Sequence, residues 1–225
     1  MTEKVLFAWS GGKDSALGLY ELGRSGDYEV ATLLTTVTAD YDRVSMHGVR
    51  VSLLEDQARA LGYPLDQVRI RAGGSSDDYS AAMRERMEFY RGRGVRRVAF
   101  ADLFLADLRR WREERLAEAG MEGLFPLWGV PTAELARRFL RLGFKTVITC
   151  VDGNALDAGF AGREYDAELL DDLPAAVDPC GENGEFHSFC YDGPIFRRPV
   201  RFRRGETVRR EDRFHFCDLI LEEQP

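Results

Sequence analysis

The sequence predicts an α/β protein: a parallel sheet with helices on both faces, followed by a smaller α+β domain. Three observations lead there. Short apolar runs alternate with helix-period segments through the first half, a pattern that builds parallel sheets. Glycine-bearing turns punctuate these segments. After Trp128 the texture changes, and from about Pro174 onward turn-rich sequence surrounds short alternating stretches.

The elements follow in order. Val5 to Trp9 is a continuous apolar run closed by Ser10-Gly11-Gly12, the pattern of a buried parallel strand and its turn. A helix is expected from about Asp14 to Arg24, and a β-branched strand from Val30 to Val37. Val51, Leu54, Ala58 and Leu61 recur at helical spacing, and Gly62 ends that helix. Val68 to Ile70 reads as a third strand, and Tyr79, Met83, Met87 and Tyr90 as one helix face. Val95 to Phe100 is a fourth strand, Leu105 to Ala119 a charged helix, and Leu124 to Trp128 a fifth strand. A helix (Thr132 to Leu142) and a strand (Phe144 to Val151) continue the α/β pattern. Phe186 to Tyr191, Val200 to Arg203 and Phe214 to Leu221 are expected as mainly antiparallel strands. The resulting division is 1–130 and 131–225.

Composition narrows the function. The 225 residues carry a net charge of −7 with a pI near 5.2, so the molecule as a whole has no nucleic-acid footprint. No run approaches the roughly eighteen apolar residues of a membrane helix, and the start does not read as a signal peptide, so a cytoplasmic location is expected. Cys150, Cys180, Cys190 and Cys217 show no zinc-type pairing. Lysine occurs only at 4, 13 and 145, which makes the lysine inside a glycine-rich turn conspicuous.

That turn, Ser10-Gly11-Gly12-Lys13-Asp14-Ser15, lies between a strand and a helix. Free backbone N–H groups and a partial positive charge at the helix start make a seat for phosphate, and glycines let the backbone approach an anion closely. A cation beside the positive end of a helix is unfavourable by about 0.3–1 kcal/mol unless an anion is bound. The plainer reading is a tight turn with Asp14 or Ser15 as cap and Lys13 solvated. The Walker A pattern is excluded, because Phe7 holds its first glycine position and Asp14 follows the lysine.

Other constellations fall at the same sheet edge. Ser45 to Arg50 contains Met46, His47 and Gly48 in a loop able to touch a base or substrate. Asp102 follows the fourth strand, placed either to hold Mg²⁺ on a polyphosphate or to cap the next helix. Arginines 109, 110 and 112 read mostly as a solvated face, with one able to reach the site. Asp178 to His187 gathers Glu182 and Glu185 around Asn183-Gly184, a strong hairpin signal in its own right.

The six-residue turn resembles the SGGxDS loop of ATP pyrophosphatases, enzymes that adenylate an oxygen and release pyrophosphate. Together with Met46-His47-Gly48-Val49-Arg50, Asp102, Cys180 to Phe186 and Tyr191-Asp192-Gly193-Pro194-Ile195-Phe196, it resembles the diphthine–ammonia ligase family, with gaps, from residue 4 to about 196. The family's late motif typically reads EGGEYET, whereas this chain has Glu182-Asn183-Gly184-Glu185-Phe186-His187-Ser188. Ala101 replaces the family's glycine before the aspartate, and Leu116 stands where a cysteine is common.

The resemblance implies a Rossmann-like, HUP-type sheet and ATP-dependent amidation: ATP adenylates the carboxylate of diphthine, a modified histidine of elongation factor 2, and ammonia displaces AMP. Ser10, Gly11, Gly12, Lys13, Asp14, Ser15, Met46, His47 and Asp102 would bind ATP, with Asp14 or Asp102 on Mg²⁺. Lys13 and Asp14 would also take part in catalysis, alongside Glu182 and Glu185, which would meet the acceptor or ammonium. The acceptor would be an elongation factor 2-like protein or a small carboxylate; no membrane or nucleic-acid partner is expected, and homo-oligomerisation stays open. Two alternatives compete. An RNA-modifying pyrophosphatase of the thiolation or lysidine type would use Cys180 or the arginines between 197 and 213; a non-catalytic module would bind ATP without cleaving it.

Overall fold

The computed structural model describes residues 2–44 and 48–222. The first sheet contains β1 (Glu3–Ala8), β2 (Tyr28–Thr38), β3 (Arg43–Val44), β4 (Leu65–Ile70), β5 (Arg97–Ala99) and β6 (Glu122–Leu124). β1 pairs in parallel with β2 on one side and β5 on the other; β4 extends the sheet beyond β2, and β6 beyond β5. The two-residue β3 pairs antiparallel with Val37 and Thr38, past the end of the β1–β2 pairing at Leu34. Strand order reverses between β1 and β5, and crevices at such points are where α/β sheets bind ligands.

Helices cover both faces. α1 (Lys13–Ser25) and α2 (Val51–Leu61) pack on one, where Phe7, Leu17, Leu33, Leu53 and Leu54 are buried together. α3 (Ser76–Arg91) and α4 (Ala106–Glu118) pack on the other, around Leu6, Met87, Val98 and Leu116. α3 starts ahead of its apolar stripe because Ser75 and Asp78 form a reciprocal capping box.

The second sheet is antiparallel, ordered β8 (Phe186–Asp192), β7 (Lys145–Asp152), β10 (Phe214–Leu221), β9 (Phe202–Arg210). α5 (Thr132–Arg141) and α6 (Ala167–Asp172) accompany it. The architecture is the expected α/β sheet with a smaller α+β part. Some elements differ from expectation. The strand near 144–151 does not extend the first sheet; as β7 it organises the second. The fifth parallel strand ends at Leu124, because Pro126 opens a turn in which Trp128 N–H bonds the Phe125 carbonyl at 3.2 Å. β9 runs well past Arg203; as an exposed edge strand rich in arginine it carries little apolar alternation. α6 went unread; its cap is Asp166, whose carboxylate accepts from Leu169 N–H.

Both sheets share one apolar core, in which Phe7 and Leu54 belong with Phe189, Cys190 and Cys217. Ion pairs add to the junction: Asp218 of β10 meets Arg43 and Arg50, and Arg198 grips Asp56 of α2 with both terminal nitrogens. Among the described residues no helix is long and apolar enough to cross a membrane.

Candidate active site

At the switch point the chain leaves β1 through Ser10-Gly11-Gly12 and enters α1. Gly11 has φ +82°, and a Cβ there would stand 2.8 Å from Leu54 Cδ1, so glycine is required twice over. Two hydroxyls staple the turn: Ser10 Oγ and Ser15 Oγ lie 2.9 Å apart, and Gly12 N–H donates to Ser10 Oγ. Gly12 is the N-cap of α1 and no side chain caps it. The N-cap thus brings no capping oxygen of its own, and the partial positive charge of the helix start faces the cleft, the electrostatic basis of an anion seat.

Gln57, fully buried on α2, binds the turn to its surroundings. It accepts from the Trp9 indole at 2.8 Å and donates to the carbonyls of Gly11 at 2.9 Å and Cys190 at 2.5 Å. Cys190 N–H, on β8, donates to the same Gly11 carbonyl at 2.9 Å. The second sheet thus reaches directly into the phosphate turn. Ser188 does so again, its Oγ accepting from Lys13 N–H at 3.2 Å.

Lys13 is not the solvated residue of the plainer reading. It is 3% exposed, and its ammonium donates to Asp14 Oδ2 at 2.7 Å and to the Cys180 carbonyl of the second half, with the rings of Tyr165 and Phe186 within 6 Å. Burial pulls its pKa down, but Asp14, Cys180 and Glu182 more than offset this, so it lies above the ordinary lysine value and the ammonium persists. Asp14, on the cleft floor, is pushed up by desolvation despite Lys13.

The cleft above the turn holds about 410 Å³. Ser10, Gly12, Lys13, Asp14, Ser15 and Asp102 line it from the first sheet, and Cys180, Glu182, Gly184, His187 and Ser188 from the second half. Gly11 shapes the turn from behind and is not in the lining. Met46 and His47 lie outside the described residues.

Asp102 does not cap the helix that follows it. Arg112 of α4 grips both its oxygens, at 2.7 and 3.2 Å, while stacking over Phe100 at 4.4 Å; Leu105, not Asp102, stands at the N-cap. The two glutamates also part company. Glu185 is buried behind the cleft, where its carboxylate accepts from Asp178 N–H, Asn183 N–H and the Asn183 amide, so it shapes the loop instead of meeting a ligand. Glu182 faces the cleft, and its Oε1 accepts from Leu103 N–H at 2.8 Å.

Burial leaves the remaining groups uncharged. His187 is pulled down to about 4 by desolvation, with Lys13 adding to it, and is neutral at pH 7. The Cys180 thiol is raised by burial and points its Sγ to the Thr132 carbonyl, so it is no ready thiolate. Among the described residues no group of three His, Cys, Asp or Glu side chains could hold a metal ion. The donor set fits Mg²⁺ only as a polyphosphate brings it in, with Asp14 as a carboxylate ligand. A nucleotide fits better: Thr35 Oγ1, buried at the cleft wall, has no hydrogen-bond partner among the described residues.

Gln57, Ser188, Arg112 and Thr35 were not anticipated. Gln57 carried a signal, since it lies three residues after Leu54 on the apolar stripe of α2, where a glutamine needs buried partners.

Comparison with known proteins agrees with this geometry. Residues 3–123 match the family model of the diphthamide synthase N-terminal domain, and residues 131–219 that of the C-terminal domain. No curated protein sequence matches. A predicted subunit of tRNA methyltransferase from Methanocaldococcus jannaschii is similar at 15% identity and TM-score 0.47, over 85% of this chain and 98% of that one. The U34-tRNA thiolase NcsA from Methanococcus maripaludis, solved with its [4Fe–4S] cluster, is similar at 15% identity and TM-score 0.39, over 63% of this chain and 57% of that one. At that distance neither likeness bears on chemistry. With both of its domain models matched in order along nearly the whole chain, the protein belongs to the diphthamide synthase family of ATP-utilising PP-loop enzymes.

Proposed function

We propose that this protein is an ATP-dependent amide ligase that adenylates a diphthine-like carboxylate and transfers ammonia to it, releasing AMP and pyrophosphate. The observation that carries the reading is the convergence of two unlike walls on one cleft. One is the start of α1, whose N-cap is a glycine with no side chain, behind a glycine turn; the other is the Cys180–Ser188 segment of the second half.

The first wall suits the triphosphate, whose charge the α1 amides and a nucleotide-borne Mg²⁺ would neutralise. Asp14 would help hold that Mg²⁺, which would withdraw charge from the phosphates. Ser10 and Ser15 hold the turn in shape, and Thr35 offers its hydroxyl to the nucleoside end. The second wall closes over the reacting carboxylate, excluding water from an acyl-adenylate. No cysteine nucleophile is needed, and Cys180 is not poised to be one. An RNA substrate is less favoured, because three arginines of that segment are tied into the fold: Arg198 pairs with Asp56, Arg204 with Glu164 and Arg213 with Asp152.

The test is incubation with ATP, Mg²⁺, ammonium chloride and elongation factor 2 bearing diphthine. Stoichiometric AMP, pyrophosphate and protein amide are expected. ADP as product, or AMP release with no amide formed, would overturn the assignment.

A further inference from the structure

Forming an amide from neutral ammonia releases one proton per turnover, and a group in the cleft has to take it. The carboxylates lining the cleft differ in one respect. Asp14 is paired with Lys13 at 2.7 Å, and Asp102 is gripped by Arg112. Glu182 has no cation within ion-pair distance among the described residues; one oxygen is anchored by Leu103 N–H, and Oε2 accepts no hydrogen bond from a described residue. Glu185, in the same loop, has both oxygens filled. His187 is held neutral by burial, with its pKa near 4, and so is a weak proton acceptor at pH 7.

We infer that Glu182 is the general base of the ammonia-transfer half-reaction, receiving on Oε2 the proton that the attacking nitrogen gives up. This rests on the ligase reading above. The nitrogen lone pair forms the C–N bond, and the bond from the acyl carbon to the AMP phosphate oxygen breaks, its electron pair leaving with AMP. The nitrogen, cationic once bonded, passes one proton to Glu182, which returns it to water as product departs. The Leu103 amide fixes the carboxylate from the opposite wall, so the base is aimed only when the two halves are together.

The environment suits the task. Burial raises the carboxyl against the Leu103 amide; Asp14 and Asp102 raise it further and Lys13 opposes, leaving it at about 7. A base near the working pH both accepts and releases a proton readily.

Glu182→Gln keeps the acceptor for Leu103 and removes the basicity. With diphthine-bearing elongation factor 2, ammonia-dependent amide formation should fall about 10²–10⁴-fold, while ATP–pyrophosphate exchange stays within about threefold of wild type. At constant free ammonia, the acid limb of the wild-type rate profile, near pH 7, should vanish in the variant. Amide formation within about threefold of wild type, or loss of exchange along with transfer, would overturn the assignment. Carbon-13 titration of the wild-type carboxyl gives a readout independent of turnover: a midpoint near 7 is expected, and one in the ordinary glutamate range would overturn it. If wild type itself makes no AMP with this acceptor, the ligase reading falls; if wild type is active and the variant equals it, only the base is lost.

Discussion

The two walls of the cleft are made of different chemical groups. The first-sheet wall offers main-chain amides, hydroxyls and carboxylates already paired with cations: Asp14 with Lys13, Asp102 with Arg112. The second-half wall offers a carboxylate with no cation partner among the described residues and a neutral imidazole. The difference teaches where charge is fixed and where protons can move. On the proposed reading a polyphosphate would be met by dipoles that do not titrate, whereas acid–base chemistry needs a group whose charge is not pinned by a partner. Lys13 joins the walls: it sits on the first, where its ammonium pairs with Asp14, and donates as well to the Cys180 carbonyl of the second.

Three substitutions would break or sharpen that contrast. The largest effect is expected from Gln57→Ala. It strands the Trp9 indole N–H and removes donors from the Gly11 and Cys190 carbonyls; at about 1–3 kcal/mol per stranded buried group, the loss should be about 2–4 kcal/mol. Urea unfolding followed by Trp fluorescence and by circular dichroism should show both halves weakening in one transition. A loss below about 1 kcal/mol would mean the walls do not lean on this junction.

Next in size is Lys13→Met, which keeps the bulk but removes a charge-assisted hydrogen bond, at about 1.5–3 kcal/mol of stability. Its pH dependence follows from the sign of the shift. The folded pKa is above the ordinary 10.5, so the contribution is complete below that value and is lost as pH rises through the folded one. The difference between variant and wild type should therefore be flat from about pH 6 to 9 and shrink above about 10.5. Calorimetry, paired with titration of a non-hydrolysable ATP analogue, separates the roles. Unchanged stability with affinity lost more than about a hundredfold would assign Lys13 to the phosphate wall.

Asp102→Asn should do least. The side chain is only 12% exposed, but its partner Arg112 keeps its stacking on Phe100, and α4 does not use Asp102 as its cap. About 1 kcal/mol or less is expected, with the Mg²⁺ dependence of nucleotide binding the same as in wild type. A weakened Mg²⁺ dependence in titration would restore the metal role first considered for this residue.

Legibility in the sequence follows the range of the interaction. The glycine turn was readable because its strand, turn and helix lie within one short stretch, and both flanking runs are apolar or helical in period. The end of the first parallel sheet was misread because Leu124 to Trp128 is apolar throughout, and Pro126 decides its shape by local geometry alone. Asp102 does not cap α4; its partner is Arg112, ten residues on, whose place on a helix that reads as solvated gives no local sign of the pairing. Glu182 and Glu185 look alike on paper. Only the fold shows that Asn183 and Asp178 fill one while Leu103 half-fills the other.

Gly11 gives its carbonyl to two donors, one from α2 and one from β8. During synthesis the turn and α2 leave the ribosome long before Cys190 does. A nascent chain that has made only the first sheet holds a phosphate loop with one of its two restraints missing, beside a Gln57 amide lacking one of its acceptors. On the proposed reading of this turn as the ATP seat, its final geometry would thus be a property of the chain translated through β8.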